Sequence, residues 1–272
     1  MEKGSVEIFR TPSLDAPSLV VAWQTRDPGE LGSQVANALI DKLGGRELAE
    51  INPQGFFPLG GTRFKNDIVQ LQENKFWECE GANLLILKSE EPEFDHYRFI
   101  NTILNFTRHD CHAKELYTIS GAISHVVHTH PRRIFAVFNQ PQLKEHFQGY
   151  GLEAMTWEGP PAISSYLLWL AQRIDFPGIS LWPEIPFYLA AREDPQAIQL
   201  TLSFFNKRFE WRMNLEEFDT QISRQHEKLA QLRRDDAEAE SCFRRLEKNL
   251  PLDEEEQMAL TRRVHDVLTG VE

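Results

Sequence analysis

Apolar positions along the 272-residue chain fall into two alternating rhythms, short unbroken runs and stripes at helical spacing. The clearest pair lies in residues 83–111, where Leu84, Leu85, Ile86 and Leu87 run together and Phe99, Ile100, Ile103, Leu104 and Phe106 follow at helical spacing. An unbroken run without alternation predicts a strand covered by helices on both faces, and Pro92 stops it before the helix. The run at 18–24 predicts another strand and 26–45 a helix, with Asp27 as N-cap, Pro28 at its first position, Glu30 closing a capping box and Gly44-Gly45 ending it. Its core stripe is Leu31, Val35, Leu39 and Leu43.

A strand at Leu48–Ile51 and a loop through Pro53, Gly55, Pro58 and Gly60-Gly61 come next. Alternation over 64–80 predicts a β-hairpin turning at Glu73-Asn74 with a polar outer face for solvent or a partner. Further strands are expected within 114–127, ending at Ser120-Gly121, and over 132–140, then a short helix over 141–151 closed by glycine. Residues 152–161 read as a loop, Ile163–Arg173 as a helix, and 178–189 as a strand that Pro183 and Pro186 turn out of the sheet. A helix over 195–209, with Pro195 first and Leu202, Phe205 and Phe209 inward, completes an α/β alternation that ends near Trp211.

The pattern then changes. Residues 215–248 predict one charged helix, capped by Asn214 and carrying Leu215, Phe218, Ile222, Leu229, Leu232, Phe243 and Leu246; Leu250-Pro251 breaks it. A last helix starts at Asp253 with Met258, Leu260, Val264 and Leu268. The division expected is an α/β core over residues 1–213 and a helical hairpin extension over 214–272.

Composition narrows the class. A net charge of −12 opposes nucleic-acid binding, because the few arginine pairs stand mostly among acidic neighbours in the tail. Three dispersed cysteines, Cys79, Cys111 and Cys242, offer neither a disulfide framework nor a thiolate metal site and indicate a reducing compartment. With no signal-like amino terminus and no apolar run of membrane length, the expected location is the cytoplasm. At 11% aromatic, the chain has ample material for an interface.

Candidate chemistry sits at strand ends. Ser89, Glu90 and Glu91 follow the 84–87 strand at the end where open α/β sheets bind ligands, with Glu93 close by. The Ser-Glu-Glu-Pro stretch also makes a good solvated helix cap, and that reading is taken first. Ser120-Gly121 ends another strand, but Ile119 precedes the serine without the Gly-x-Ser-x-Gly frame of a nucleophile elbow, so a sharp turn is expected. His128 and His130 point to one face if their segment is extended and could share a metal, yet with His125 beside them no third ligand is identified and a surface loop is preferred. The catalytic candidates are therefore Glu91, Ser120 and His128, the ligand candidates Glu90 and Gly121, and the metal candidates His128 and His130. No cofactor-binding signature is present: neither Gly-x-Gly-x-x-Gly after a strand nor a phosphate-binding loop occurs.

Taken together, the Val-Ala-Trp strand with its helix to Gly45, the Ile51-Asn52-Pro53 strand end, NLLILKSEEPEFDHY, HVVHTHPRR and SLWPEIPFYLAAREDPQAIQLTLSFFNKRF resemble the proteasome assembly chaperone 2 family over roughly residues 17–215. The tail resembles the charged helical extension of some bacterial members. The resemblance implies an α/β core of three layers, a sheet with helices on both faces similar to nucleoside phosphorylases (phosphorylase/hydrolase-like). It also implies a homo-oligomer whose partners are proteins, and with the missing catalytic motifs the leading expectation is a protein-binding module without catalysis. A small-molecule enzyme of nucleoside phosphorylase or hydrolase type, with its site at the strand carboxyl ends, is the alternative.

Overall fold

The computed structural model describes residues 5–156, 158–159 and 162–270, and of Lys65 only the backbone. Trp157, Pro160 and Pro161 of the expected 152–161 loop lie outside the described residues. Among the described residues twelve strands and eight α-helices follow one another: β1 (Val6–Ile8), β2 (Ser18–Trp23), α1 (Leu31–Leu43), β3 (Arg46–Ile51), β4 (Thr62–Lys65), β5 (Ile68–Leu71), β6 (Asn74–Cys79), β7 (Leu84–Ser89), α2 (His96–Asn105), β8 (Glu115–Ile119), β9 (Ala122–Ser124), β10 (Ile134–Phe138), α3 (Pro141–His146), β11 (Leu152–Ala154), α4 (Ile163–Arg173), β12 (Gly178–Pro186), α5 (Pro195–Phe209), α6 (Glu216–Asp235), α7 (Ala237–Glu247) and α8 (Glu254–Thr269).

One sheet of ten strands runs β1-β3-β6-β7-β2-β8-β12-β10-β11, with β9 alongside β12. Its centre, β7-β2-β8-β12, is parallel. All six residues of β2 are buried, as their unbroken apolar run requires of a strand covered on both faces. Leu31, Val35 and Leu39 of α1 and Leu202 and Phe205 of α5 pack with Val20 and Ile86 on one face. Phe99, Ile103 and Leu167, from α2 and α4, pack with Leu19, Val21 and Leu85 on the other. The result is the three-layer α/β arrangement with helices on both faces.

Local expectations are revised at several points. The hairpin turns at Asn66-Asp67, both with positive φ as a two-residue type I′ turn demands, and joins β4 to β5 in a separate two-stranded sheet. Asn74 instead opens β6, which lies between β3 and β7 in the main sheet. The described side chains on both faces of β4 and β5 are exposed: Arg63 and Gln70 share one face with Ile68, and Phe64, Val69 and Leu71 share the other with Thr62, so beside the expected polar face stands an exposed apolar one. Residues 152–154 form the edge strand β11 rather than loop.

The prolines of β12 do not turn it out of the sheet. Leu181 gives its carbonyl to Ser120 on the β8 side, and Glu184 its N–H to Arg133 on the other, so odd-numbered residues face β8. Pro183 therefore points its missing N–H at the gap between β8 and β9, where no ladder bond is needed. In the tail, Asp236 leaves helical geometry and its side chain caps Glu238 and Ala239, dividing the expected long helix into α6 and α7; with α8 there are three helices rather than a hairpin. Phe218, Leu229, Phe243 and Leu260 from these helices belong to the same apolar cluster as Val20 and Tyr188 of the core.

Candidate functional site

Between β2 and β8 the chain departs in opposite directions, toward β3 from one strand and toward β12 from the other, which opens a crevice at their carboxyl ends. A cleft of about 270 Å³ occupies it, lined by Trp23 to Pro28 without Gln24, by Glu91, by Ile119-Ser120-Gly121, by Trp182 of β12 and by Ala162-Ile163-Ser164 at the start of α4. Three predicted residues, Glu91, Ser120 and Gly121, thus meet in one place.

Each loop is locked by its own chemistry. Ser89, expected in a solvated cap, is fully buried at the end of β7 and donates to Asn74 Oδ1 at 2.8 Å. Asp95 caps α2 in its place, accepting from the Arg98 N–H. The Glu90 carboxylate is engaged elsewhere, accepting from the Thr25 hydroxyl and, at 3.0 Å, from Arg63 of β4. Glu93 is exposed, and its N–H donates to the Phe56 carbonyl. Glu91 donates its N–H to Thr25 Oγ1 at 3.2 Å and turns a half-buried carboxyl to the cleft. Burial raises the pKa of that carboxyl, against the pull of Arg26 and His96.

Gly121 serves the backbone rather than a ligand: a Cβ there would stand 2.5 Å from Ile185 Cδ1 and 2.8 Å from the Pro28 carbonyl oxygen. Its missing side chain lets the β2 and β8 loops interlock. Asp27 was expected to close a capping box with Glu30, but Gly29 and Glu30 take left-handed conformations and α1 begins at Leu31. The Asp27 side chain reaches past them, Oδ2 accepting the Ser33 N–H at 3.0 Å. Burial pushes its pKa up to about 6 despite backbone bonds from Ser33 and Gly32.

Three polar atoms in the residues lining this cleft are buried without a hydrogen-bond partner: Asp27 Oδ1, Trp23 Nε1 and Trp182 Nε1. Sequence reasoning missed all three as site residues. A tryptophan in a strand reads as core and Asp-Pro before a helix reads as a cap; the available signal was the position of Trp23 and Asp27 at the carboxyl end of β2, whereas Trp182, in the middle of β12, carried none.

His128 lies elsewhere. It is 2% exposed, in a turn rather than an extended segment, while His125 and His130 are exposed, so His128 and His130 do not share a face. Its Nδ1 is 3.0 Å from the Tyr188 hydroxyl, and its ring packs edge-on against His226 of α6 and Phe243 of α7. Burial and the nearby His226, Arg132 and Arg233 push its pKa down to about 3, leaving a neutral ring between core and tail. Among the described residues no group of three His, Cys, Asp or Glu side chains could hold a metal ion. No described helix is long and apolar enough to cross a membrane.

Comparison with known proteins follows the fold. A sequence model of the PAC2 family matches residues 24–233, and no curated protein matches. Among solved structures, PbaB of Pyrococcus furiosus, described as an archaeal proteasome activator, aligns with a TM-score of 0.70 at 20% identity, covering 85% of this chain and 99% of that one. A Mycobacterium tuberculosis protein of unknown function gives 0.77 at 20% identity over 92% and 91% of the two chains. A proteasome-assembly chaperone homologue from the same organism gives 0.66 at 15% identity over 91% and 99%.

Proposed function

The chain belongs to the PAC2 family, and on that footing we propose that it is a cytoplasmic, assembly-chaperone-like protein that acts by binding protein rather than by catalysis, and that copies of it associate through the β4–β5 hairpin. The descriptions of its structural relatives as a proteasome activator and an assembly-chaperone homologue support the general role. The observation that carries the reading is the hairpin itself. Phe64 is 81% exposed, Val69 72% and neighbouring Leu59 89%, and the hairpin belongs to no larger sheet.

A two-stranded ribbon with both faces in water is marginally stable. Covering its apolar side chains is worth about 1.5–3 kcal/mol for each one fully buried. A second copy fits as the cover because the outer edges of β4 and β5 carry no strand partner and can pair across a two-fold axis. Charge does not oppose that contact locally: residues 62–71 hold Arg63 and Lys65 against Asp67, within a chain of net charge −12.

Light scattering over a concentration series tests this. Wild type is expected to be oligomeric, and Val69→Asp, on an exposed strand, to be monomeric with an unchanged far-UV circular dichroism spectrum and a midpoint lowered only by the lost association. A wild type that stays monomeric, or an oligomer that Val69→Asp leaves intact, overturns the proposal. The convergence of Glu91 and Ser120 in one cleft favours a second reading, a small-molecule enzyme of phosphorylase or hydrolase type. With His128 outside the cleft, Asp27 and Glu91 are the acid–base groups left to it.

A further inference from the structure

β1 is the last strand on its side of the main sheet, and its register with β3 shows which of its main-chain groups are used. Phe9 donates its N–H to the Leu48 carbonyl and Asn52 donates to the Ser5 carbonyl, so the odd-numbered residues turn their main chain toward β3. Val6 and Ile8 therefore turn theirs outward, and among the described residues no strand pairs with that edge. The side chains divide between the two faces of the sheet. Val6 packs on the apolar cluster beneath α2 and Ile8 shares its face, whereas Glu7 stands on the opposite face beside its cross-strand neighbour Glu50.

A groove flanks the edge on each face. On the Val6 side a cavity of about 290 Å³ is lined by Val6, Ile8 and Phe106 and by polar residues of α2 and the segment after it, where Arg98 and Asp110 contribute one charge of each sign. On the Glu7 side a cavity of about 600 Å³ is lined by Glu7 and Glu50, by residues 52–54 after β3, and by Leu59, Thr62 and Leu71 at the base of the hairpin. Val6 borders both, which places the free edge between them. The charge of the larger cavity is acidic, with no lysine or arginine among its described lining residues. Burial raises the pKa of the half-buried Glu50 carboxyl, and Glu47 and Glu73 act in the same direction against Lys75. Lys75 itself is held at 3.0 Å by Glu47.

Resting on the reading of this chain as a binder of protein, we propose that the free edge of β1 receives an extended segment of a partner protein as an additional strand, with apolar side chains toward α2 and lysine or arginine toward Glu7 and Glu50. Strand addition pairs the outward N–H and C=O groups of Val6 and Ile8, and its period of two delivers alternate side chains to the two grooves. A second copy of this chain fits less well. Antiparallel pairing of β1 with itself, in the register that uses both outward residues, sets one Glu7 directly opposite the other with both Glu50 side chains on the same face. Like charges so placed repel, and a basic segment meets the opposite condition.

The full-length chain is titrated by fluorescence anisotropy with a labelled, end-blocked peptide that alternates lysine and valine. Binding is expected with a dissociation constant at or below about 0.1 mM. The same residues with all lysines before all valines carry equal charge toward a chain of net charge −12 and so report general attraction; they should bind at least about tenfold more weakly. Ile8→Pro removes an outward N–H that no ladder bond uses and sets a ring against the incoming strand. It should weaken the alternating peptide by at least about tenfold with an unchanged circular dichroism spectrum. Glu7→Lys, at an exposed position, should weaken it by about tenfold. No binding of the alternating peptide, equal binding of the sorted one, or either variant indistinguishable from wild type overturns the proposal. Light scattering with Val69→Asp judges self-association apart from this edge. A failed titration beside an oligomer that Val69→Asp dissolves removes the edge proposal alone, and a monomeric wild type that binds the peptide removes self-association alone.

Discussion

His128 shows how a residue that looks like a reagent becomes a pH-sensitive part of the packing. An exposed histidine titrates near pH 6.5, whereas the folded chain holds this ring neutral down to about 3. Below about 6.5 the unfolded chain takes up a proton that the folded chain refuses, so stability is complete above that pH and declines as pH falls toward 3. His226 is shifted in the same direction by burial. Replacing His128 with Asn, whose Oδ1 can still meet the Tyr188 hydroxyl, should flatten the decline by up to about 1.4 kcal/mol per pH unit, measured by urea unfolding at a series of pH values. The strand-end rule brought Glu91 and Ser120 to the cleft from sequence alone because backbone topology decides where they go. It was blind to Trp23 and Asp27, whose role depends on which of their atoms lacks a partner, a matter of three-dimensional neighbours.

At the level of elements, legibility follows locality. The helices Ile163–Arg173 and Pro195–Phe209 were predicted with these boundaries because their stripes and Pro195 at a first helical position are local signals. The β5 and β12 errors share a cause: exposed Val69 and the prolines of β12 are tolerated through long-range circumstances, a missing cover in one case and a gap between neighbouring strands in the other. The break at Asp236 was readable, since an aspartate followed by Ala-Glu-Ala is a good helix start, but surrounding charges masked it. Because the tail shares the apolar cluster of the core, Leu229→Ala in α6 should cost about 2–5 kcal/mol and lower one common unfolding transition. Calorimetry showing a separate early transition for the tail would contradict this.

For the whole molecule, the three-layer architecture and the family were legible because both rest on the order of elements, and that order survives local errors. The proposed self-association through an apolar hairpin, in a chain of net charge −12, has a characteristic salt response. Added salt shortens the reach of like charge to about 8 Å at about 0.15 M, so the oligomer should tighten as salt rises, whereas an oligomer held by opposite charges would loosen. Sedimentation at low and high salt distinguishes the two. The position of β2 has a further consequence, for the order of synthesis. Both its neighbours, β7 and β8, are made much later than β2 itself, after the hairpin and, for β8, after α2. Six residues that end fully enclosed must wait on the ribosome without their partners, so this strand is open to misassociation during translation. A chain proposed to assist the assembly of proteins has, in its own central strand, a segment that needs protection while it is being made.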